Sequence, residues 1–452
     1  MSLPRYPEYK DSGVEWLGEV PAHWEIRRLS SLFVQVTEEG DTDLPVLMVS
    51  IHSGVSDDEI DEEERSRKVT RSEDRSKYKR VAPGDLVYNM MRAWQGGFGT
   101  ATVTGLVSPA YVVARPTETF QTHLVEQQLR SPQAVEEMRR HSRGVTDFRL
   151  RPYWDEFKTL SITLPPATEQ TAIAAFLDRE TAKIDALIAE QDKLLALLTE
   201  KRQATISHAV TKGLDPNVSM KDSGVKWLGE VPRHWKLMRI RHLVSTIEQG
   251  WSPQCENFPV EAPDEWGVLK VGCVNGGFFR PSENKKLPLE LAPMPAYALK
   301  RGDLLISRAN TRELVGSAAV VQRDFNNLLL CDKLYRLRLA PGKCLAAFAA
   351  AYLSTREARS QIELDATGAS SSMLNIGQSA VLDLLMPLPV MDEQKAIAEF
   401  ISAETARLDA LAAEATRAIA LLKERRSALI SAAVTGKIDV RNALQKQEAC
   451  HA

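Results

Sequence analysis

Two stretches of this chain repeat apolar side chains at alternating steps of three and four. In the first, Ile173, Leu177, Ile184, Leu187, Leu194 and Leu198 form the stripe, with Glu180 and Gln191 as polar breaks. In the second, Ile397, Ile401, Leu408, Leu411 and Leu422 do the same, with Ala415 and Ala418 between them. Pro165-Pro166 and Pro387 to Pro389 end what precedes each stretch, and Glu169 or Asp392-Glu393 places acid near a helix start. No Gly or Pro follows until Gly213 or Gly436. The spacing predicts two helices of about 40 residues, on the order of 60 Å long at 1.5 Å per residue. Their common stripe predicts that they pair as an antiparallel coiled coil. Elsewhere the apolar runs are short and punctuated by Gly, Pro and Asp. Runs at 44–51, 86–90, 110–114, 304–307 and 334–339 predict strands joined by loops, in mixed α/β (α+β) domains.

The chain is also written twice. Residues 10–29 return at 221–240 with 14 of 20 positions identical, and residues 169–213 return at 393–437 without a gap at 25 of 45. Between these repeats, residues 30–143 and 241–367 share little beyond a Gly-Asp-Leu turn, at Gly84 and at Gly302. The order is therefore variable domain, fixed helix, variable domain, fixed helix, an internal pseudo-twofold plan. It divides the chain into a first domain at 1–164, a helical spacer at 165–213 and a linker at 214–221. A second domain at 222–387, a second spacer at 388–440 and a tail at 441–452 complete it.

Composition sets limits. At 452 residues, 44% hydrophobic and 26% charged, the chain has room for two or three soluble cores. Its longest apolar run, 344–353, is half of a membrane span, and the N-terminus lacks a signal-peptide core. Five cysteines without a CxxC pair fit reduced thiols and a cytoplasmic address. A net charge of −3 gives no whole-chain signal for nucleic acid. Locally, seven acids in 57–64 precede eight basic side chains in 65–80, a stretch able to meet phosphate or to stand as a charge-mixed solvated loop.

Catalytic motifs are scarce. The sequence has no phosphate loop, no dinucleotide fingerprint, no Asn/Asp-Pro-Pro-aromatic tetrapeptide, no GxSxG elbow and no HExxH helix. His23 and His234 stand at equivalent repeat positions beside Trp24 and Trp235, which suggests a structural role. Asp264, Glu283 and Lys285 satisfy the loose pattern of metal-dependent nucleases. So short a pattern is expected by chance in a chain with 60 acids.

With the order of parts in view, the chain resembles the specificity subunits of type I restriction–modification systems over residues 4–440. The residues that carry the likeness are LPPATEQTAIAAFLD (164–178), LPVMDEQKAIAEFIS (388–402) and SGVEWLGEVPAHW (12–24) with its second copy. The loops at 84–99, 143–150, 302–316 and 367–377 fill the corresponding places in the two domains. The resemblance implies that each domain reads one half of a split, asymmetric site in double-stranded DNA. It further implies that the paired helices fix the gap between halves and dock two methyltransferase subunits, which modify adenine. Two restriction–translocase subunits can join that core. S-adenosylmethionine would then belong to the methyltransferase, ATP and Mg to the restriction partner, and no cofactor, metal or catalytic site to this chain.

Base readout in the major groove uses Arg for guanine and Asn or Gln for adenine, while Lys, Arg, Ser and Thr hold phosphates. In the first domain the candidates are Arg92, Gln95, Arg143, Thr146 and Arg149, with Lys68, Arg71, Lys77 and Lys79 on phosphates. In the second they are Arg308, Asn310, Arg312, Ser370, Ser371, Ser372 and Asn375. Two other readings stand beside this one. The chain is a metal-dependent nuclease using Asp264, Glu283 and Lys285, or a coiled-coil scaffold that binds no DNA.

Overall fold

The computed structural model of the chain describes residues 4–41, 43–50, 54–56, 77–142, 151–370 and 373–443. By packing, the chain forms two compact units, residues 1–191 with 417–452 and residues 192–416. Both long helices form, at Ala167–Lys212 and Met391–Val434.

In the first unit the opening segment is a hairpin, Tyr9–Asp11 against Glu19–Pro21. Glu25–Arg28 then pairs with Ser161–Leu164, which tethers the start of the first variable domain to its end. Between them lies a four-stranded antiparallel sheet in the order Phe33–Val36, Tyr111–Pro116, Leu86–Asn89, Phe98–Thr100. Its two central strands, Leu86–Asn89 and Tyr111–Pro116, are mostly apolar and buried because both faces are covered. Leu86, Tyr88, Val112 and Ala114 face a core with Val125, Leu129 and Met138 of the helices Thr122–Leu129 and Pro132–Arg140. Val87 and Val113 face a second core with Leu47, Val49, Val81 and Val107.

The second unit repeats this design. Its sheet runs Val244–Gln249, Leu334–Leu339, Leu304–Ser307, Ala318–Val320, each strand equivalent in order to one of the first sheet. Leu304, Ile306, Tyr335 and Leu337 meet Phe348, Tyr352 and Ile362 on one side. On the other, Leu305, Ala319 and Leu334 meet Val268, Leu269, Leu328 and Leu329. Those last four belong to an added sheet, ordered Asn284–Lys286, Gly267–Leu269, Phe325–Leu329, Ala298–Leu299. Two sequences with little in common thus build one sheet topology.

The shared Gly-Asp-Leu turn has a structural reason. Asp85 and Asp303 are buried, and each accepts a backbone N–H at 2.9 Å, from Ala82 and from Lys300. Arg115, on the neighbouring strand, grips Asp85 through Nε and Nη2, both at 3.0 Å. Arg338 does the same for Asp303 through Nε at 2.9 Å. Both guanidiniums are held firmly protonated, first by these hydrogen bonds.

Each unit also joins the start of one long helix to the end of the other. In the first, Ile173, Phe176 and Leu177 share a core with Ala433 and Val434, and Asp185 pairs with Arg426 at 2.9 Å. In the second, Ile397 and Ile401 share a core with Ile206, Ala209 and Val210, and Arg202 lies 3.7 Å from Asp409. The buried stripe departs from the sequence expectation in mid-helix. Ile184, Leu198 and Leu408 are buried and Leu422 half-buried, but Leu187, Leu194 and Leu411 are 52%, 40% and 42% exposed. The inward positions there are Ile188, Leu195 and Ala412. Residues three and four steps from an anchor sit on adjacent parts of a helix face, so the apolar pattern admitted either phase.

Candidate nucleic-acid interface

Each variable domain is seated on its long helix by a Glu-Gln pair that follows the proline stop, Glu169-Gln170 and Glu393-Gln394. The Glu169 carboxylate accepts from Trp24 Nε1 at 2.9 Å and Tyr6 Oη at 3.2 Å, and meets His23 Nε2 at 2.7 Å. Glu393 repeats the arrangement, accepting from Trp235 Nε1 at 3.0 Å with His234 Nε2 at 2.9 Å. Lys10 and Lys221 each donate to the carbonyl of that tryptophan at 2.6 Å. The neighbouring glutamine faces the variable domain. Gln170 accepts from Gln121 N at 2.8 Å and donates to the Pro165 carbonyl at 2.8 Å. Gln394 accepts from Leu345 N at 2.8 Å and donates to the Pro389 carbonyl at 2.9 Å. Gln121 and Leu345 are the N-caps of the equivalent helices Thr122–Leu129 and Ala346–Leu353. The Glu-Gln pair therefore fixes the opening segment with one residue and the variable domain with the next.

The first latch is deeper. Burial, then the Glu169 carboxylate, push the Tyr6 hydroxyl far above the usual phenol range, so it stays a donor. Arg441, at the start of the segment the sequence marked as a tail, stands over the Tyr6 ring at 5.0 Å and pairs with Asp439 at 2.7 Å.

The candidate readout residues lie on equivalent loops. Arg92 and Gln95 are exposed on the connection after strand Leu86–Asn89. Arg308, Asn310 and Arg312 lie on the connection after Leu304–Ser307, the same place in the second sheet. There the structure brings further candidates together. Ala309–Asn310 pairs with Met373–Asn375, which pairs with Thr367–Ser370, so Asn375 stands opposite Ala309. Arg308 donates to the Asp332 carbonyl at 3.4 Å. Arg359 holds the loop from below, donating to the carbonyls of Val315 and, at 2.7 Å, Arg312.

Other candidates are placed differently. Lys77 is exposed. Lys79 donates its ammonium to the Tyr111 carbonyl at 2.7 Å, and burial lowers its pKa, so part of its donor capacity is used within the domain. Lys68, Arg71, Arg143, Thr146, Arg149, Ser371 and Ser372 lie outside the described residues, as does the side chain of Ser370. Sequence reasoning missed Asn275, which touches Asn310. The Asn-Gly-Gly run at 275–277, a turn signal, was the available clue.

These features can be set beside known proteins. The chain is 26% identical over 241 residues to the EcoEI type I restriction enzyme specificity subunit of Escherichia coli, covering 53% of this chain and 40% of that protein. The EcoKI specificity subunit of Escherichia coli strain K12 is 24% identical over 286 residues, or 62% of this chain and 58% of the relative. The MjaVIII specificity subunit of Methanocaldococcus jannaschii is 25% identical over 296 residues, covering 63% and 64%. The chain's relatives are type I restriction enzyme specificity subunits. It matches about half the length of these curated relatives. Its fold is that of a solved chain from work on complex assembly and conformational transition of the type I R-M system, with a TM-score of 0.65. That match has 18% identity and covers 92% of this chain and 98% of the other. No protein-family model matches the chain.

Beside the specificity subunits, the nuclease reading gains nothing from geometry. Asp264 is exposed, Glu283 and Lys285 are half-buried, and the strand's ion pair runs from Lys286 to Glu265 at 2.6 Å. Among the described residues no group of three or more His, Cys, Asp or Glu side chains is placed to hold a metal ion. No described helix is long and apolar enough to cross a membrane.

Proposed function

We propose that this chain is the DNA sequence-specificity subunit of a type I restriction–modification complex. Each recognition domain reads one half of a bipartite, asymmetric site in double-stranded DNA. The single observation that carries the reading is that two domains of one topology set unlike loops on the same sheet position, each over the same Glu-Gln latch. A fixed frame with exchanged loops suits a protein that holds two different base sequences in one geometry. The relation to type I specificity subunits supports it.

The long helices pair as an antiparallel coiled coil and set the distance between half-sites. They also dock two methyltransferase subunits. Leu187 and Leu197 on the first helix and Leu411 and Leu421 on the second are equivalent repeat positions, and all four are exposed. Two like apolar surfaces suit two copies of one partner. The chain itself carries no catalysis and acts in the cytoplasm. Adenine methylation with S-adenosylmethionine belongs to the methyltransferase, and ATP- and Mg-dependent cleavage to restriction subunits that join the same core.

The direct test is to co-express the chain with a methyltransferase encoded beside it and map methylated adenines by single-molecule sequencing. One split motif with unlike halves and a fixed gap is expected. A stable complex that adds no methylation would overturn the reading. A second expectation concerns the helices. L187E with L411E should leave the chain folded, since both side chains face solvent, and abolish methyltransferase assembly in size-exclusion chromatography. An intact complex with normal half-site spacing would exclude these leucines from docking.

A further inference from the structure

We propose that Arg359 and Glu363 are specificity-positioning residues of the second recognition domain. From the helix Arg356–Asp365 they hold Arg312, on the connection after Leu304–Ser307, in the one placement that discriminates between bases. This role rests on the specificity-subunit reading.

Most of that connection closes on its own backbone. Leu314 N and Val315 N donate to the Thr311 carbonyl at 3.0 and 2.8 Å, and Gly316 N donates to the Ser307 carbonyl at 2.8 Å. Ser307 Oγ donates to the Leu314 carbonyl at 2.7 Å. The carbonyls of Arg312 and Val315 are met from the helix instead, both by the Arg359 guanidinium. Val315 is fully buried, so water does not replace Arg359 at its carbonyl. Burial disfavours the Arg359 charge, and the Glu363 and Glu313 carboxylates oppose that effect, so the guanidinium remains a donor.

The same helix makes two further contacts. Ile362 lies so close under Gly316 that a Cβ there would stand 2.7 Å from it, at a φ of +77°. Glu363 lies 3.7 Å from Arg312 Nε through one oxygen and 3.7 Å from Arg359 Nη2 through the other. Arg312 is thus held at both ends, its carbonyl by Arg359 and its guanidinium by Glu363, while its side chain stays 64% exposed.

The first domain uses the same helix positions with different chemistry. Ser131 and Thr355 cap the equivalent helices Pro132–Arg140 and Arg356–Asp365. The interval between them equals that between Glu169 and Glu393, so Val135, Met138 and Arg139 stand where Arg359, Ile362 and Glu363 stand. These three again stand at the readout connection. Val135 is 3.9 Å from where a Gly96 Cβ would lie, Met138 shares a core with Ala93, and the Arg139 guanidinium is 5.8 Å from the Trp94 ring centre. Two loops of unlike sequence are carried on one helix face, whose side chains differ with the loop they support.

Placement acts on selectivity more than on affinity. A phosphate contact tolerates a shifted side chain, because charge attraction falls off slowly with distance. A base-edge contact needs donor and acceptor aligned within hydrogen-bond limits. A loop freed from Arg359 lets Arg312 sample several placements, which costs discrimination first.

The test uses the assembled methyltransferase complex with the full chain and selects bound duplexes from a randomised library. Wild type is expected to select a split motif. R359A should lower base preference about tenfold in part of one half, leaving the other half and the affinity for unrelated duplex unchanged. R359K, which restores a cation able to donate to a carbonyl, should recover part of that preference. E363Q releases the Arg312 guanidinium alone and should cost about threefold at the same positions. R356A, an exposed change on the same helix, should alter nothing.

Unchanged base preference in R359A and E363Q would overturn the proposal while leaving the specificity-subunit reading in place. Equal losses in R359A and R356A would also overturn it, since that is the mark of general charge. Loss of the whole half in both R359A and R359K would do the same, as for a residue that only holds the fold. If R359A fails to fold, E363Q decides alone, because Glu363 is exposed and its change leaves the core intact. No motif selected by wild type would overturn the reading and the proposal with it.

Discussion

Replacing Glu169 by alanine is expected to lower the stability of the first unit by about 3 kcal/mol, several times the loss from the equivalent change at Glu393. Glu169 Oε2 is the acceptor for two fully enclosed donors, Trp24 Nε1 and Tyr6 Oη. Its removal leaves both without a partner where water does not reach, and an unmade buried hydrogen bond costs about 1–3 kcal/mol. The second latch has less to lose. Its glutamate side chain is 27% exposed against 9% for the first. Trp235 is its single buried donor, so E393A should cost about 1 kcal/mol. Denaturant unfolding followed through tryptophan fluorescence, with hydrogen exchange to separate the two units, measures both. Equal losses would show that the difference between latches carries no energy.

Arg336→Ala is expected to destabilise the second unit by about 3–5 kcal/mol, the range found when one partner of a buried charge network is removed. Arg336 is 1% exposed inside a sheet strand. It donates to Glu248, to the Ala298 carbonyl at 2.9 Å and to the Ala296 carbonyl at 3.0 Å. It also lies 3.8 Å from Asp303, the turn residue shared by both domains. Alanine removes these donors and opens a cavity at once. Arg336→Met keeps most of the side-chain volume and should recover the packing share alone. Faster amide exchange in Leu304–Ser307 and Leu334–Leu339, with the first unit unaffected, is the expected result. Unchanged exchange there would contradict it. The first domain has Val113 at the matching place, buried among Leu47, Val87 and Val107. The ion network thus belongs to the second domain, where the added sheet's strand Ala298–Leu299 and the turn before it supply the carbonyls.

Much of this protein could be read from one dimension. The helices at Ala167–Lys212 and Met391–Val434 match the expected limits closely, because proline stops, acidic starts and a long run without Gly or Pro act over a few residues each. The duplication was legible for the same reason, since identity over 169–213 and 393–437 needs no folding to be seen. The strands at 86–89, 304–307 and 334–339 also lie where short apolar runs placed them. Local pattern therefore determined the elements, their order and the relation to specificity subunits.

Tertiary structure decided what depends on distant partners. That the two variable domains share one sheet order was hidden, since strand pairing joins residues as far apart as Val244 and Leu339 and leaves no mark on either sequence. The inward phase of the helices passed from Leu187 to Ile188 because three and four steps both stay on one face, and only the packed neighbours choose between them. The Glu-Gln pair was visible as a motif, but its division of labour was set by which backbone N–H and which indole came to meet it. Asn275 was silent for the same reason. Its partner, Asn310, is 35 residues away, and their hydrogen bond exists only once the loop and the sheet edge close on each other.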